Sequence, residues 1–183
     1  MSDENLRDCL QPKQTGLTAA CAAAAVKGIR AGGGEAEEIR LNDLKIDKCH
    51  ACGNGWGTCL PEHRCKEEDD FQGLHLRQAQ VDGYVLVTPV YWGELSESAK
   101  AFTDRLRRCE ATRERGESWL FDKPVIAVVA AGGYGQSSLY RKCSDTESSL
   151  FSGANPTSRV HAVLAAPMFM EVLCSRLRGT LMQ

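Results

Sequence analysis

Two short segments of the chain are apolar at successive positions, the pattern of a strand buried on both faces of a sheet. They are residues 83–88 (GYVLVT) and 124–130 (PVIAVVA), and both are too short for a typical helix. After the first segment, apolar side chains recur at spacings of four, three and four: Leu95, Ala99, Phe102 and Leu106. That spacing predicts a helix with one apolar face. Strand, loop and helix in this order predict one unit of a parallel α/β sheet.

The other segments add weaker signals in an alternating order. An alanine-rich helix is predicted over residues 19–31, before three glycines, and a short strand over residues 35–41. Another helix is predicted over residues 71–80, with Asp69 or Asp70 as its N-cap. Further predicted elements are a helix over residues 139–150, a strand over residues 160–164 and a helix over residues 169–178. The alternation of strands and helices favours an α/β fold.

The composition is that of an ordinary soluble globular domain. The chain has 183 residues, 43% hydrophobic and 25% charged, which fits a single domain over residues 1–183. A net charge of -2 gives no electrostatic reason to expect a nucleic-acid or anionic-membrane partner. No apolar run is long enough to span a bilayer, and the start (MSDENLRDCL) lacks the features of a signal peptide. We therefore expect a cytoplasmic protein with no nucleic acid and no membrane as partner.

Three loops are expected at the edge where the carboxyl ends of the strands meet, which is where ligands bind in open α/β sheets. They are residues 13–18, 88–93 and 131–135. The first precedes a helix, whose N-terminal N–H groups favour a phosphate, and Thr15 and Thr18 add hydroxyl donors. The second supplies Tyr91 and Trp92 as faces for a flat ring, and glycines in the third let a ligand approach the backbone. Together the loops predict a mononucleotide site, such as one for FMN; the alternative is that they are ordinary turns.

Three motifs of the chain resemble a known family. They are CHAC with further cysteines, Asp69-Asp70-Phe71, and DGYVLVTPVYWGELSESAKAFTDR (residues 82–105). On these residues the stretch 48–110 resembles the flavodoxin-like NAD(P)H-dependent oxidoreductases, which include FMN reductases and iron–sulfur flavoproteins. QTGLT (residues 14–18) is similar to the Thr-Gly-x-Thr phosphate loop of flavodoxins.

The resemblance implies a flavodoxin-like open parallel sheet with helices on both faces, and an FMN-dependent oxidoreductase that takes hydride from NAD(P)H. The electrons would pass to a small-molecule acceptor (a quinone, or a nitro or metal compound) or to an iron–sulfur cluster. The expected FMN-binding residues are Thr15, Gly16, Thr18, Thr88, Pro89, Val90, Tyr91, Trp92, Gly93, Ala131, Gly132, Gly133 and Gly135. No catalytic side chain is expected, because the cofactor carries the redox chemistry. The resemblance also implies a homodimer or higher homo-oligomer.

The two ends of the chain depart from the family pattern. Residues 1–14 are polar and look irregular where the family has a central apolar strand. The resemblance stops near residue 150, beyond which only residues 160–164 offer a last strand. We therefore expect the first and last strands of the family sheet to be altered or missing.

A cysteine-rich insertion at about residues 47–66 holds four closely spaced thiols: Cys49, Cys52, Cys59 and Cys65. Four thiolates can bind zinc or a 4Fe-4S cluster, although the spacing matches neither common ferredoxin pattern. Iron–sulfur flavoproteins resemble it but have a cysteine near the position of Gly55, and His50 or His63 can serve as zinc ligands. The alternative is a surface loop with reduced thiols. The scattered cysteines are expected to be small buried or surface residues: Cys9, Cys21, Cys109, Cys143 and Cys174.

Two further groups of residues are interpreted as non-catalytic. His75, on a predicted helix, is expected at the surface or at the edge of the core. A basic run interleaved with glutamates predicts a solvated face rather than a phosphate clamp. Its members are Arg105, Arg107, Arg108, Arg113 and Arg115. Two rival functions stay open: a non-enzymatic electron carrier on the same fold, and a zinc-stabilised binding module whose flavin site has decayed.

Overall fold

The computed structural model describes residues 6–12, 14–110, 118–119, 123–130 and 161–165. Its strands are β1 (Leu6–Gln11), β2 (Glu35–Arg40), β3 (Gly83–Pro89), β4 (Val125–Ala130) and β5 (His161–Ala165). Its helices are α1 (Leu17–Ala31), the single distorted turn α2 (Cys52–Gly55), α3 (Phe71–Gln80) and α4 (Glu97–Glu110), with a 3-10 turn at Leu41–Asp43. All five strands are parallel, in the order β2-β1-β3-β4-β5. This order confirms the predicted flavodoxin-like sheet.

Helices cover both faces of the sheet, as predicted. On one face α1 packs against β1, β3 and β4, with Cys21 and Ala22 among Cys9, Val85 and Ile126. The other face carries α3 and α4, whose apolar residues join side chains of β1, β3 and β4: Phe71, Leu74, Ala99, Phe102 and Leu106. Every residue of β3 and β4 is buried, which explains why both strands are apolar at successive positions.

The expectation that the first strand is altered or missing is wrong. β1 lies in the middle of the sheet, paired with β2 on one side and β3 on the other, and Cys9 and Leu10 are fully buried. The sequence pattern did not indicate a buried strand here, because Asp8 and Gln11 are polar and yet fully buried. Their partners are distant in sequence: Asp8 accepts two hydrogen bonds from Arg77 of α3 at 2.8 and 2.9 Å. A buried polar group with such partners is compatible with a central strand.

The last strand is also present. β5 runs parallel to β4 from His161 to Ala165, one residue beyond the predicted bounds. The helices predicted over residues 139–150 and 169–178 lie outside the described residues. In the described part of the chain, no helix has the length and apolar character needed to cross a membrane.

Candidate functional site

The loop after β3 is a tight turn that presents two aromatic side chains to solvent. Tyr91 N–H donates to the Glu94 carbonyl and Glu94 N–H donates to the Tyr91 carbonyl, both at 3.0 Å. Trp92 and Gly93 between them have φ values of +53° and +78°, as in the two-residue turns of hairpins. The Trp92 side chain is fully exposed, at 103% of its reference area, and Tyr91 is 45% exposed. A left-handed conformation costs a non-glycine residue about 1–2 kcal/mol, so the turn displays a large aromatic surface at some cost in stability.

Buried hydroxyl groups fix the two ends of this loop. Thr88 and Ser96 are both buried, and Ser96 N–H donates to Thr88 Oγ1 at 3.2 Å. Ser96 also accepts hydrogen bonds from the first turn of α4, through Oγ from Ala99 N–H at 3.4 Å and through its carbonyl from Lys100 N–H at 2.8 Å. The Thr88 hydroxyl is therefore engaged within the loop, and the exposed surface comes from the residues that follow it.

The loop between β1 and α1 leads into a helix start that no side chain caps. Gly16 has a φ of +90° and precedes the first helical residue, and its carbonyl accepts the Ala20 N–H at 3.0 Å. No side chain caps the start of α1, so the first N–H groups of a 15-residue helix face the loop without a side-chain acceptor in the described structure. Thr15 is exposed, whereas the Thr18 side chain is buried.

Strand pairing brings these loops to one edge of the sheet. β1 and β3 are adjacent and parallel, with Leu10 opposite Leu86, so the strands lie about 5 Å apart and their carboxyl ends are at the same edge of the sheet. β4 ends beside β3, where Val90 N–H donates to the Ala130 carbonyl at 3.2 Å. The third predicted loop starts from that point. Its binding residues Ala131, Gly132, Gly133 and Gly135 lie outside the described residues, as does Lys13.

The four predicted cysteine ligands meet at a second place. Cys49, Cys52, Cys59 and Cys65 line one cavity of about 20 Å³, with room for about one water molecule. All four are free thiols. At Gly57, which also lines the cavity, an added Cβ would lie 2.9 Å from the Cys52 Cβ, so glycine is needed for the loop to fold over that thiol.

This donor set fits a thiolate-bound metal by its chemistry, since soft thiolates are preferred ligands of zinc and iron–sulfur clusters. In the structure, however, the side chains of this donor set do not converge on one point. Among the described residues, no three His, Cys, Asp or Glu side chains are close enough together to hold a metal ion. Of the two candidate histidine ligands, His50 lines the cavity and lies 3.2 Å from Glu67, whereas His63 Nδ1 lies 3.2 Å from the Cys109 carbonyl oxygen.

Helix α4 forms one wall of the cysteine cavity. It contributes Arg105, Arg108 and a fifth thiol, Cys109, which share one face of the helix because they are three and four residues apart. Arg108 donates to the Gly55 carbonyl, and its guanidinium lies 4.9 Å from the Trp56 ring centroid. Burial, followed by the charges of Cys65 and Cys59, raises the pKa of Cys109 to about 12, so this thiol stays protonated.

The predicted solvated face is wrong for Arg105, whereas Arg113 and Arg115 of that prediction lie outside the described residues. The Arg105 side chain is 1% exposed, and Nη1 and Nη2 donate to the two carboxylate oxygens of Asp69 at 2.5 and 2.9 Å. Nη1 also donates to the Asp47 carbonyl at 3.1 Å, and the guanidinium lies 4.3 Å from the Phe71 ring centroid. Burial raises the pKa of Asp69, but the hydrogen bonds from Arg105 and from the N–H groups of Asp47 and Phe71 outweigh it, and the net shift is downward.

The sequence reasoning missed the roles of Arg105 and Cys109, although their spacing with Arg108 places all three on one helical face. It also misjudged His75, which is fully buried. His75 Nε2 lies 2.6 Å from Glu110 Oε1, and its ring stacks on Phe71 at 5.4 Å between centroids. Arg105 and His75 are buried together with Asp69 and Glu110, which are more than 30 residues away from them in the sequence. Local sequence patterns therefore do not reveal that these two side chains are buried.

Comparisons with known proteins give one family model and several similar proteins. A family model described as NADPH-dependent FMN reductase matches residues 11–144. The chain is similar to an iron–sulfur flavoprotein of Archaeoglobus fulgidus, 30% identical over 95 residues, which are 52% of this chain and 41% of that protein. It is also similar to an iron–sulfur flavoprotein of Methanocaldococcus jannaschii, 31% identical over 96 residues, 52% of this chain and 48% of that protein. The aligned part thus spans about half the length of these curated relatives or less.

Solved structures with the same fold include two reductases. The NAD(P)H:quinone oxidoreductase from Methanothermobacter marburgensis superposes with a TM-score of 0.67 and 14% identity, covering 98% of each chain. An FMN-dependent NADH-azoreductase from Bacillus anthracis in complex with FMN superposes with a TM-score of 0.64 and 10% identity, covering 98% of this chain and 100% of that chain. At such identities the likeness shows a shared fold and no more.

Proposed function

Because the chain belongs to the NADPH-dependent FMN reductase family, whose model matches residues 11–144, we propose that it is an FMN-dependent NAD(P)H oxidoreductase. It would take hydride from the nicotinamide and pass the electrons to a quinone, a nitro or metal compound, or an iron–sulfur cluster. The observation that carries the proposal is the meeting of the loops after β1 and β3 at one edge of the sheet. An uncapped helix start and two exposed aromatic rings there suit the phosphate and the flat ring of a mononucleotide.

Each loop has a separate task in this proposal. Thr15, Gly16 and Thr18 hold the phosphate, chiefly through backbone N–H groups at the start of α1, and Tyr91 and Trp92 pack on the ring. The remaining ring contacts fall to Pro89, Val90 and Gly93 and to the predicted third loop, which lies outside the described residues: Ala131, Gly132, Gly133 and Gly135. FMN, when bound, would supply the two-electron chemistry. The protein positions the ring and excludes water from it.

An FMN titration of the apoprotein, followed by flavin fluorescence, tests the site. We expect one FMN per chain, and about tenfold weaker binding for Trp92→Ala, because base-like rings stacked on aromatics contribute about 1–3 kcal/mol. Trp56→Ala is the matched control, since Trp56 is also exposed, at 40%, but belongs to the cysteine segment. Absence of FMN binding by the wild-type chain would refute the proposal. Steady NAD(P)H oxidation with an artificial acceptor separates an enzyme from a mere electron carrier.

We further propose that Cys49, Cys52, Cys59 and Cys65 bind a metal, either zinc or a 4Fe-4S cluster. Four free thiols in one cavity support this, and the cavity of about 20 Å³ suits a single ion better than a cluster, for which the cysteine loop would have to open. Anaerobic purification, a visible spectrum and metal analysis separate the cases. A broad cluster band selects iron–sulfur; a colourless protein with stoichiometric zinc and no response to FMN selects the rival zinc-stabilised module. A metal-free protein with four titratable thiols would contradict both.

Two further expectations belong to this proposal. The resemblance implies a homodimer or higher homo-oligomer, which light scattering after size-exclusion chromatography tests directly. A cytoplasmic location stays a prediction from the sequence, and localisation of a fluorescently tagged chain tests it.

A further inference from the structure

One buried polar atom beside the cysteine cavity has no partner. Arg105 Nε is inaccessible to solvent and has no hydrogen-bond acceptor among the described residues, whereas Nη1 of the same guanidinium donates two hydrogen bonds and Nη2 donates one. Buried donors in folded proteins are nearly always hydrogen-bonded, because losing water without a new acceptor is unfavourable. The free N–H therefore points to an acceptor that completes the site.

The cavity lined by Arg105 identifies the chemistry of that acceptor. Cys65 lines the same cavity, and its negative charge as a thiolate would favour the charged form of the neighbouring guanidinium. Burial lowers the pKa of Arg105, but the hydrogen bonds to Asp69 and the charge of the neighbouring Cys65 outweigh burial, and the net shift is upward. The arginine is thus a permanent cation in the lining of the cysteine cavity.

We infer that Arg105 is a positioning residue of the thiolate site, holding a sulfur ligand at Cys65 through its fixed positive charge and its free N–H. The inference rests on the proposed metal site. A divalent ion with four thiolates carries a net charge of about −2, so the site needs a nearby cation when it is loaded. Groups outside the ligand sphere that donate to the ligands orient them and tune the metal.

The surroundings of Arg105 are built to hold it in place. Asp69 accepts from both Nη atoms in a bidentate pair, which fixes the plane of the guanidinium and leaves its Nε–H available to a further acceptor. Phe71 covers one face of that plane at 4.3 Å. A lysine at this position would keep the charge but could not donate to Asp69 and to sulfur in this fixed geometry.

The test uses Co²⁺ as the probe, because thiolate-bound cobalt gives a sulfur-to-metal charge-transfer band whose energy reports on the sulfur. The key variant is the double substitution Asp69→Asn with Arg105→Gln, which removes both charges and keeps a hydrogen-bonding pair. We expect its Co²⁺ affinity to fall about 10- to 100-fold, the usual effect of removing an outer hydrogen bond to a ligand. We also expect the band to move to longer wavelength, because sulfur electrons that lose a neighbouring cation are more easily promoted.

Two further variants keep the test decisive. Arg107→Gln changes an exposed arginine of the same helix and is expected to match the wild type in affinity and band position. Arg105→Lys is expected to recover part of the affinity, because the charge is retained. Circular dichroism and thermal unfolding verify that each variant is folded.

The outcomes are distinguishable. A folded double variant with wild-type affinity and an unmoved band would overturn the inference and leave the metal site standing, because Arg105 would then act only in packing. A wild-type chain without a sulfur-to-cobalt band would overturn both the thiolate site and the inference. The same band after Cys65→Ser would show that Cys65 is not a ligand and would overturn the inference alone. FMN titration of the same wild-type sample tests the flavin site independently of either result.

Discussion

At the scale of single residues, Trp92 combines a backbone conformation that lowers stability with a side chain that is fully exposed to solvent. Its φ of +53° is a conformation that asparagine and glycine adopt readily and tryptophan does not. Strained positions of this kind cluster at ligand-binding sites, where the surrounding structure maintains them. Here the cross-turn hydrogen bonds of Tyr91 and Glu94 provide that constraint.

Replacing Trp92 with asparagine is therefore expected to stabilise the protein by about 1 kcal/mol, since the turn would no longer hold a strained residue. Urea unfolding of the FMN-free protein measures this. Trp56→Asn is the control, because Trp56 is also exposed but has an extended φ of −132°. Equal or lower stability for Trp92→Asn would mean that the turn imposes no strain on the native side chain.

At the scale of elements, β1 depends on a side chain from a helix that follows it by about 70 residues. Asp8→Ala is expected to lower the free energy of unfolding by about 1.5–3 kcal/mol, the range for a hydrogen bond to a charged group. Glu37→Ala removes the other partner of Arg77, an exposed carboxylate at 2.7 Å, and is expected to cost less than about 1 kcal/mol. Similar losses for the two variants, measured by urea unfolding, would contradict a central role for the buried pair.

Strands and helices were predicted correctly where the spacing of apolar residues along the sequence defines them. The prediction failed where an element depends on side chains that are distant in the sequence. β3, β4 and the apolar face of α4 follow from consecutive or helically spaced apolar residues, which neighbours in sequence reveal. β1 was not recognised because Asp8 and Gln11 are satisfied by Arg77 and Glu38, 69 and 27 residues away. Only part of the cysteine cavity was predicted. The four candidate ligands are close in sequence, whereas Arg105 and Cys109 line the cavity because α4 packs beside it.

At the scale of the whole molecule, the pair formed by Asp69 and Arg105 ties the segment before α3 to α4 and makes stability depend on acid. The pKa of Asp69 is lower in the folded protein than its ordinary value of about 3.9. As the pH falls, the unfolded chain therefore binds a proton at Asp69 at a higher pH than the folded protein does. The contribution of the pair is complete above about pH 5 and is lost as the pH falls through the folded-state pKa.

Asp69→Asn is expected to be less stable at pH 7 and to lose less stability between pH 5 and pH 2 than the wild type. Urea unfolding at several pH values in this interval measures the slope. Asp104→Asn, which removes an exposed partner of Lys100 on α4, is the control and should keep the wild-type slope. An unchanged slope for Asp69→Asn would mean that other carboxylates account for acid unfolding.

Helix α4 is a single continuous helix that connects the aromatic turn with the cysteine cavity. It starts at the aromatic turn, beside Ser96, and reaches the thiols with Arg105 and Cys109, so its pitch sets their separation. One extra residue inserted after Phe102 would advance the far end by about 1.5 Å and swing it by about 100°. Such an insertion would carry the guanidinium away from the sulfur while the aromatic turn stayed in place, uncoupling the two ends of the molecule.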